Sequence, residues 1–171
     1  CLSSPVRGED RYAWPLQFAP ALTSTFAEYR SGRFHAGLDI KTWGKVGVPC
    51  VAVDDGYVWR VRTSPWGYGK ALYLKLKDGS TAVYAHLTSF CPAVEEVVAS
   101  EQDRRGAYSV DLFLRPDQIA VSRGEVVAHS GSTGSGFPHL HFEIRDENQK
   151  PLNPLLNGFA VADSIAPTPV T

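Results

Sequence analysis

Apolar and polar residues alternate in short runs along most of this chain, a period of two that predicts half-buried β-strands. Leu72, Leu74 and Leu76 share one face of 71–77, and Asp78-Gly79 predicts a tight turn into a second strand over 80–87. In the same way 48–53 and 57–62 read as two strands, with Asp54-Asp55-Gly56 as the hairpin turn between them. Further strands are expected at 108–114, 124–129 and 139–145. The rhythm breaks at 92–106, where Val94, Val97 and Val98 take helical spacing behind a proline suited to a first turn. This helix and the strand after it read as an insertion, about 92–121, between core strands. Residues 1–20 carry no period and read as a lead-in that Trp14, Phe18 and Phe26 are placed to pin onto the core. The expected division is a lead-in at 1–21, one domain at 22–159 and a tail at 160–171.

Composition narrows the function. The chain has 171 residues, a length that suits one domain, and 43% are hydrophobic, enough for a core. No apolar run approaches the roughly 18 residues of a membrane span. The net charge of −1, with scattered Lys and Arg, lacks the basic patch of a nucleic-acid binder. Of the three cysteines, none has C-x-x-C spacing. Cys50 and Cys91 either pair or remain free thiols. Cys1 is where a processed bacterial lipoprotein carries its lipid, which makes it a candidate anchor, although a sequence boundary accounts for it almost as well.

Four of the five histidines fall in three short patterns: His35-Ala-Gly-Leu-Asp39, Tyr84-Ala-His86-Leu87 and His139-Leu-His141. Alternation along 139–144 puts His139, His141 and Glu143 on one side and Leu140, Phe142 and Ile144 on the other. The apolar side faces a core, so the polar stripe faces a cleft. The two imidazoles then share that stripe with alpha-carbons about 7 Å apart, so that one can hold a metal while the other stands beside its open position. His35 and Asp39 would be about 13 Å apart on a straight strand, so the chain must bend, and Gly37 is placed to permit a bulge. On 82–87, His86 shares a face with Ala82 and Tyr84, while Val83, Ala85 and Leu87 pack inward.

Singly, each pattern is weak: half-buried strands carry wet-face histidines, and His-x-x-x-Asp is common by chance. Jointly, His35, Asp39 and one of His139 or His141 make a set of two imidazoles and one carboxylate. Three protein ligands with a fourth position for water is the arrangement of a catalytic zinc site. The spare imidazoles suit proton transfer and oxyanion stabilisation. Glu143 is either a carboxylate orienting an imidazole or a solvated surface residue. A dinucleotide site is excluded at Gly131, Gly134 and Gly136, because that loop precedes a strand rather than opening a helix.

These residues resemble the M23 family of zinc metallopeptidases, the lysostaphin and LytM-type endopeptidases. The resemblance covers most of 22–159. It rests on Phe34-His-Ala-Gly-Leu-Asp39, on Val53-Asp-Asp-Gly-Tyr-Val58 beside the family's A-D-G-x-V hairpin, on Tyr84-Ala-His-Leu87, and on Gly131-Ser-Thr-Gly134 leading to Pro138-His-Leu-His-Phe-Glu143. It implies a compact antiparallel β-sandwich, a barrel-sandwich hybrid, with a narrow groove over one Zn2+ ion. It also implies that His35, Asp39 and His141 are the metal ligands, that His86 and His139 are the catalytic pair, and that Tyr29 stands where some relatives place a carbonyl-polarising tyrosine. The insertion at 92–121 departs from compact members and is expected to shape the groove. The implied activity is hydrolysis of peptide cross-links in bacterial peptidoglycan, at glycine bridges or D-Ala-to-diaminopimelate bonds, in the cell envelope, whether periplasmic, membrane-anchored or secreted. Two other readings stand beside it. One is a non-catalytic scaffold that activates a cell-wall amidase, against which all five metal and catalytic positions are filled. The other is a binding module using Trp43, Tyr57, Trp59, Trp66 and Tyr68.

Overall fold

The computed structural model describes residues 11–159 and 161. Cys1, most of the expected tail and the start of the lead-in lie outside the described residues. Among the described residues, thirteen strands and one α-helix follow in chain order: β1 Leu22–Ser24, β2 Tyr29–Arg30, β3 Arg33–Phe34, β4 Leu38–Lys41, β5 Pro49–Val51, β6 Gly56–Thr63, β7 Lys70–Leu76, β8 Thr81–Phe90, α1 Pro92–Arg105, β9 Val110–Phe113, β10 Ala120–Val121, β11 Val126–Ser130, β12 His139–Arg145 and β13 Pro151–Leu152. Apart from the small β2–β3 hairpin, the strands form one antiparallel sheet in the order β1-β4-β12-β8-β7-β6-β10. In it β9 lies beside β6, β13 beside β12, and β11 between β5 and β8. The mainly-β antiparallel architecture is the one expected.

The alternating strands give the sheet two faces. Leu72, Leu74, Ala82, Tyr84, Leu140, Phe142 and Ile144 enter one large core, which β5 and β11 close with Cys50, Val127 and Ala128. The other face carries a small cluster of Ala71, Tyr73, Val83 and Ala85, with Tyr68 packed against it, and there the histidines converge. The segment at 11–16 belongs to the core: Tyr12 and Leu16 are buried, and Leu16 bridges to Cys50. The Tyr12 hydroxyl donates to Asp78 Oδ2 (2.5 Å) and Arg11 adds an ion pair (2.7 Å).

Asp78 gives the fold a pH dependence. Partial burial would raise its carboxyl, but bonds from Ser80, Tyr12 and Arg11 outweigh that and hold it well below the usual range. A carboxylate depressed in the folded state contributes stability above its unfolded pKa of about 4 and loses that contribution as pH falls. The Tm is therefore expected to drop below about pH 4, with a shallower drop in Asp78→Asn, as a thermal melt series in pH will show.

Two sequence expectations are corrected, and one alternative that the sequence left open is decided. First, Asp54-Asp55-Gly56 does not close a hairpin. β5 pairs with β11, whereas β6 pairs with β7, β9 and β10. Gly56 instead permits close approach, since a Cβ there would lie 2.1 Å from the Lys75 carbonyl oxygen. Second, of the two alternatives for Cys50 and Cys91, the free thiols are found. β11 runs between β5, which holds Cys50, and β8, which ends just before Cys91, and two inter-strand spacings of about 4.8 Å exceed disulfide reach. Third, the bulge beside the first motif lies in β1, between Leu22 and Ser24. Gly37 sits at the expected bend, but what demands glycine is contact with β12: a Cβ would lie 2.1 Å from Phe142 O and 2.8 Å from the Glu143 Cγ. Gly37→Ala should destabilise the fold by about 1–3 kcal/mol through overpacking, read from the denaturant midpoint.

A helix and then a strand form in this stretch, at Pro92–Arg105 and Val110–Phe113. Pro92 opens α1, Gly106 closes it in the left-handed conformation (φ 61°), and Val94 and Val98 are buried.

Candidate metal centre and cleft

Register brings the ligand candidates together. β4 and β12 pair so that Asp39 lies directly opposite His141, and β8 places Ala85 on the other side of His141. His35 follows β3 at the bend before β4. Its Nε2 lies 3.1 Å from Asp39 Oδ1 and 3.0 Å from His141 Nδ1, and that Nδ1 is 2.9 Å from the same carboxylate oxygen. All three residues are buried.

The hydrogen bonds on the far side of each ring decide which nitrogens face inward. His35 Nδ1–H donates to Thr25 O (2.7 Å), leaving the Nε2 lone pair free. His141 Nε2–H donates to Glu143 Oε1 (2.8 Å), leaving the Nδ1 lone pair free. Two imidazole lone pairs and a carboxylate oxygen thus point at one another, a repulsive arrangement that a cation relieves. Donors about 2.0–2.1 Å from one tetrahedral zinc stand about 3.3 Å apart, close to the edges of this triangle. The donor set therefore fits a zinc-sized cation.

Glu143 is no surface residue: it is fully buried. It accepts from Tyr68 Oη and His141 on one oxygen and from Arg145 Nε (2.7 Å) on the other, and the Tyr68 ring stacks on His141 with centroids 5.2 Å apart. Burial would raise the Glu143 carboxyl, yet the bonds from His141 and Arg145 pull it down to about 2. Burial alone would lower His141, but Asp39 and Glu143 raise it. Asp39 itself is held far below the usual range, against the effect of its burial, by His139, His141, His35 and Arg30. Glu143→Gln removes the charge that orients His141, and metal affinity should fall about 10–100-fold, as competition with a chelating dye will measure.

His86 stands beside the triangle for a reason the alternation pattern hid. Ala82 and Tyr84 face the core, so regular alternation would bury His86 with them. Instead β8 carries one extra residue there: Leu72 pairs with Tyr84 but Lys70 with Leu87. His86 is the bulged residue, at φ +61°, a left-handed conformation uncommon outside glycine. The bulge turns the ring onto the cleft face and returns Leu87 to the core. Its Nδ1–H donates to Thr133 O (2.9 Å), and its ring centroid lies 4.7 Å from that of His139 and 5.8 Å from that of His141. Burial, with the neighbouring imidazoles, pushes His86 down to about 4, so it is neutral at pH 7. His139 Nδ1–H donates to Phe137 O (2.8 Å), and its Nε2 is 3.5 Å from Asp39 Oδ1.

Tyr29 is not brought to the site. It is 71% exposed, packs edge-on against Phe34, and does not line the cleft. Adjacent residues of a strand point oppositely, and here Arg30 points inward to bond Asp39 Oδ2 and Ser24. The sequence pattern also passed over Thr133. Its carbonyl holds His86, while its hydroxyl accepts from Lys70 N and donates to Leu87 O. Gly69 and Gly134 let the two rim loops meet, since a Cβ on either would collide with backbone at 2.2 and 2.5 Å.

The cleft over the triangle has a volume of about 660 Å3 and is lined by Arg30, Arg33, Phe34, Arg62, Tyr68 and Ser135 around the four histidines and Asp39. Contrary to expectation, the insertion at 92–121 contributes no lining residue. Of the proposed binding aromatics only Tyr68 lines this cleft. Trp43 lines a neighbouring hollow with Phe137 and Pro138 that shares Asp39 and His139.

No protein-family model matches the chain. It is similar to a DD-carboxypeptidase/endopeptidase Mpg of Neisseria meningitidis, 33% identical over 124 residues, 72% of this chain and 22% of that protein. It is also similar to the murein hydrolase activator NlpD of Escherichia coli, 29% identical over 153 residues, 90% of this chain and 32% of that one. The chain thus spans less than two fifths of the length of these curated relatives. Among solved structures it resembles a zinc-containing peptidase from Vibrio cholerae, with a TM-score of 0.59 and 27% identity over 82% of this chain and 37% of that one. It further resembles the catalytic domain, in a mutant form, of the prophage-encoded M23 protein EnpA from Enterococcus faecalis, with a TM-score of 0.58 and 25% identity over 82% of this chain and 95% of that domain.

Proposed function

We propose that this chain, which belongs to the M23 metallopeptidase family, is a zinc-dependent endopeptidase that hydrolyses peptide cross-links of bacterial peptidoglycan in the cell envelope. The observation that carries the reading is the placement of His86 and His139 beside the ligand triangle, each with Nδ1–H spent on a backbone carbonyl and ring centroids 4.7 Å apart. A scaffold has no use for two further imidazoles held in this way.

His35 Nε2, Asp39 Oδ1 and His141 Nδ1 would hold the zinc ion. Bound there, zinc lowers the pKa of a water toward about 7 and polarises the scissile carbonyl. The chain's own groups do the rest. Neutral His86 offers an unprotonated Nε2 to take the proton of the attacking water. Once protonated, an imidazole of this pair delivers a proton to the departing amine. The other donates to the oxygen on which negative charge develops when it holds a second proton, at Nε2, since its Nδ1–H is already given to a carbonyl. Glu143 and Thr25 hold the ligand rings in orientation, and Thr133 does the same for His86.

Mass spectrometry of defined cross-linked muropeptides incubated with the zinc-loaded protein tests the reading: cleavage at a peptide bond, abolished by a chelator, is expected. The similarity to an NlpD named as a murein hydrolase activator favours a second reading, in which the domain stimulates a cell-wall amidase. Intact muropeptides in that assay, together with amidase stimulation that survives His86→Ala, would establish the second reading in place of the first. No described helix is long and apolar enough to cross a membrane.

A further inference from the structure

We propose that Arg62 and Arg33 form a carboxylate-binding subsite in the cleft, which selects peptides bearing a free carboxylate beside the scissile bond. This inference deepens the peptidase reading and rests on it.

The cleft has a charge the whole chain does not. The protein carries a formal net charge of −1, yet the residues lining the cleft include Arg30, Arg33 and Arg62 against a single carboxylate, Asp39. Asp39 is already committed to the ligand triangle and to Arg30. A divalent cation in the triangle would add to the positive field. Walls of low dielectric focus such a field and raise the local concentration of anions.

Arg62 in particular has no hydrogen-bonded or ion-paired mate among the described residues, and Asp111 acts on it only through space. It lies on β6, half-buried, and the acidic residue opposite it across the β6–β9 pairing is Asp111. Asp111 gives both oxygens to Arg60 instead (2.7 and 2.6 Å). Arg60 and Arg145 also cover the Tyr73 ring, which leaves Arg62 the member of the cluster turned to the cleft. The guanidinia of Arg62 and Arg33 make no hydrogen bond or ion pair with any described residue. The through-space attraction of Asp111 offsets the desolvation of a half-buried guanidinium only in part while no acceptor bonds it, and its planar fork suits a carboxylate bidentately. The hollow that shares Asp39 and His139 with the cleft is lined by Trp43, Phe137 and Pro138, with Thr23, Lys41 and Thr42 beside them. A peptide laid across the ligands thus meets the arginines in the cleft and a mixed wall with three apolar residues in the hollow. A glycine bridge offers the cations nothing, whereas a stem peptide with carboxylates offers two-point pairing.

The test uses two forms of one stem-peptide dimer joined through a D-Ala-to-diaminopimelate bond, one with free carboxylates and one with those groups amidated. The wild-type protein loaded with zinc should favour the free form in kcat/KM by about 10-fold or more, the range for hydrogen bonds to charged groups. The preference should shrink with added salt. Arg62→Gln and Arg33→Gln should bring the ratio of the two forms close to one, and Arg62→Lys should keep part of it. A wild-type ratio near one, or a ratio unchanged in both glutamine variants, overturns the subsite. If neither form is cut, the peptidase reading fails, and calorimetric binding of the same two peptides then decides the subsite alone. A preference for the free form that Arg62→Gln removes sustains it, and equal binding overturns it.

Discussion

Asp39→Ala should leave the protein unable to hold stoichiometric zinc. The Asp39 Oδ1 is the corner common to both imidazole contacts of the triangle, 3.1 Å from His35 Nε2 and 2.9 Å from His141 Nδ1. Its removal takes away one of three ligands and the only negative charge among them. It also frees Arg30, a cation bonded to the outer oxygen, to repel whatever metal remains. Two neutral imidazoles beside an unneutralised guanidinium make a poor cation site, so the loss should exceed the roughly 10–100-fold that follows loss of an orienting partner. His35→Ala should do the same by removing a ligand whose orientation Thr25 fixes. Elemental analysis after dialysis measures the outcome, and a full equivalent of zinc in either variant would refute the ligand assignment. Because the triangle lies on the outer face of the sheet, away from the large core, both variants should remain folded by circular dichroism.

His86→Ala and His139→Ala should behave in the opposite manner, keeping the metal and losing the reaction. Neither ring is a corner of the triangle, and each is held by a backbone carbonyl, Thr133 or Phe137. What disappears is proton transfer and stabilisation of developing charge, each worth on the order of 10²-fold or more. A muropeptide assay paired with zinc analysis checks both halves of the expectation. Turnover at the wild-type rate would remove these residues from the mechanism, and zinc loss in His139→Ala would make it a ligand. His86→Ala also bears on stability, because a residue at φ +61° is strained for any L side chain. The loss of activity should therefore be compared at matched Tm.

The sequence made the strands legible wherever period and burial agreed. The alternation of Leu140, Phe142 and Ile144 against His139, His141 and Glu143 survives intact, because both faces of β12 are buried for different reasons, one in the core and one under the cleft. The turn at Asp78-Gly79 was legible because β7 and β8 pair directly. The turn at Asp54-Asp55-Gly56 was misread because local turn chemistry says nothing about which partner a strand takes afterwards. β5 was claimed by β11, a strand far downstream in the chain.

The site was legible as a set of residue types and illegible as geometry. Alternation alone put His86 on the Tyr84 face, and only the extra residue of the bulge reverses that. Glu143 looked as much like a solvated residue as a buried one, since its partners Tyr68 and Arg145 carry no pattern that announces them. Arg30 and Tyr29 are adjacent, and which of the two turns inward depends on the pairing of a two-residue strand. Thr133 acts mainly through its carbonyl, a group every residue has.

The placement of α1 and β9 has a practical consequence. Their exposed junction at 106–109 lies on a lobe that gives nothing to either hollow beside the ligands. Graft tolerance concentrates at exposed tips of this kind. A fluorophore or affinity handle spliced there would leave both hollows beside the ligands clear.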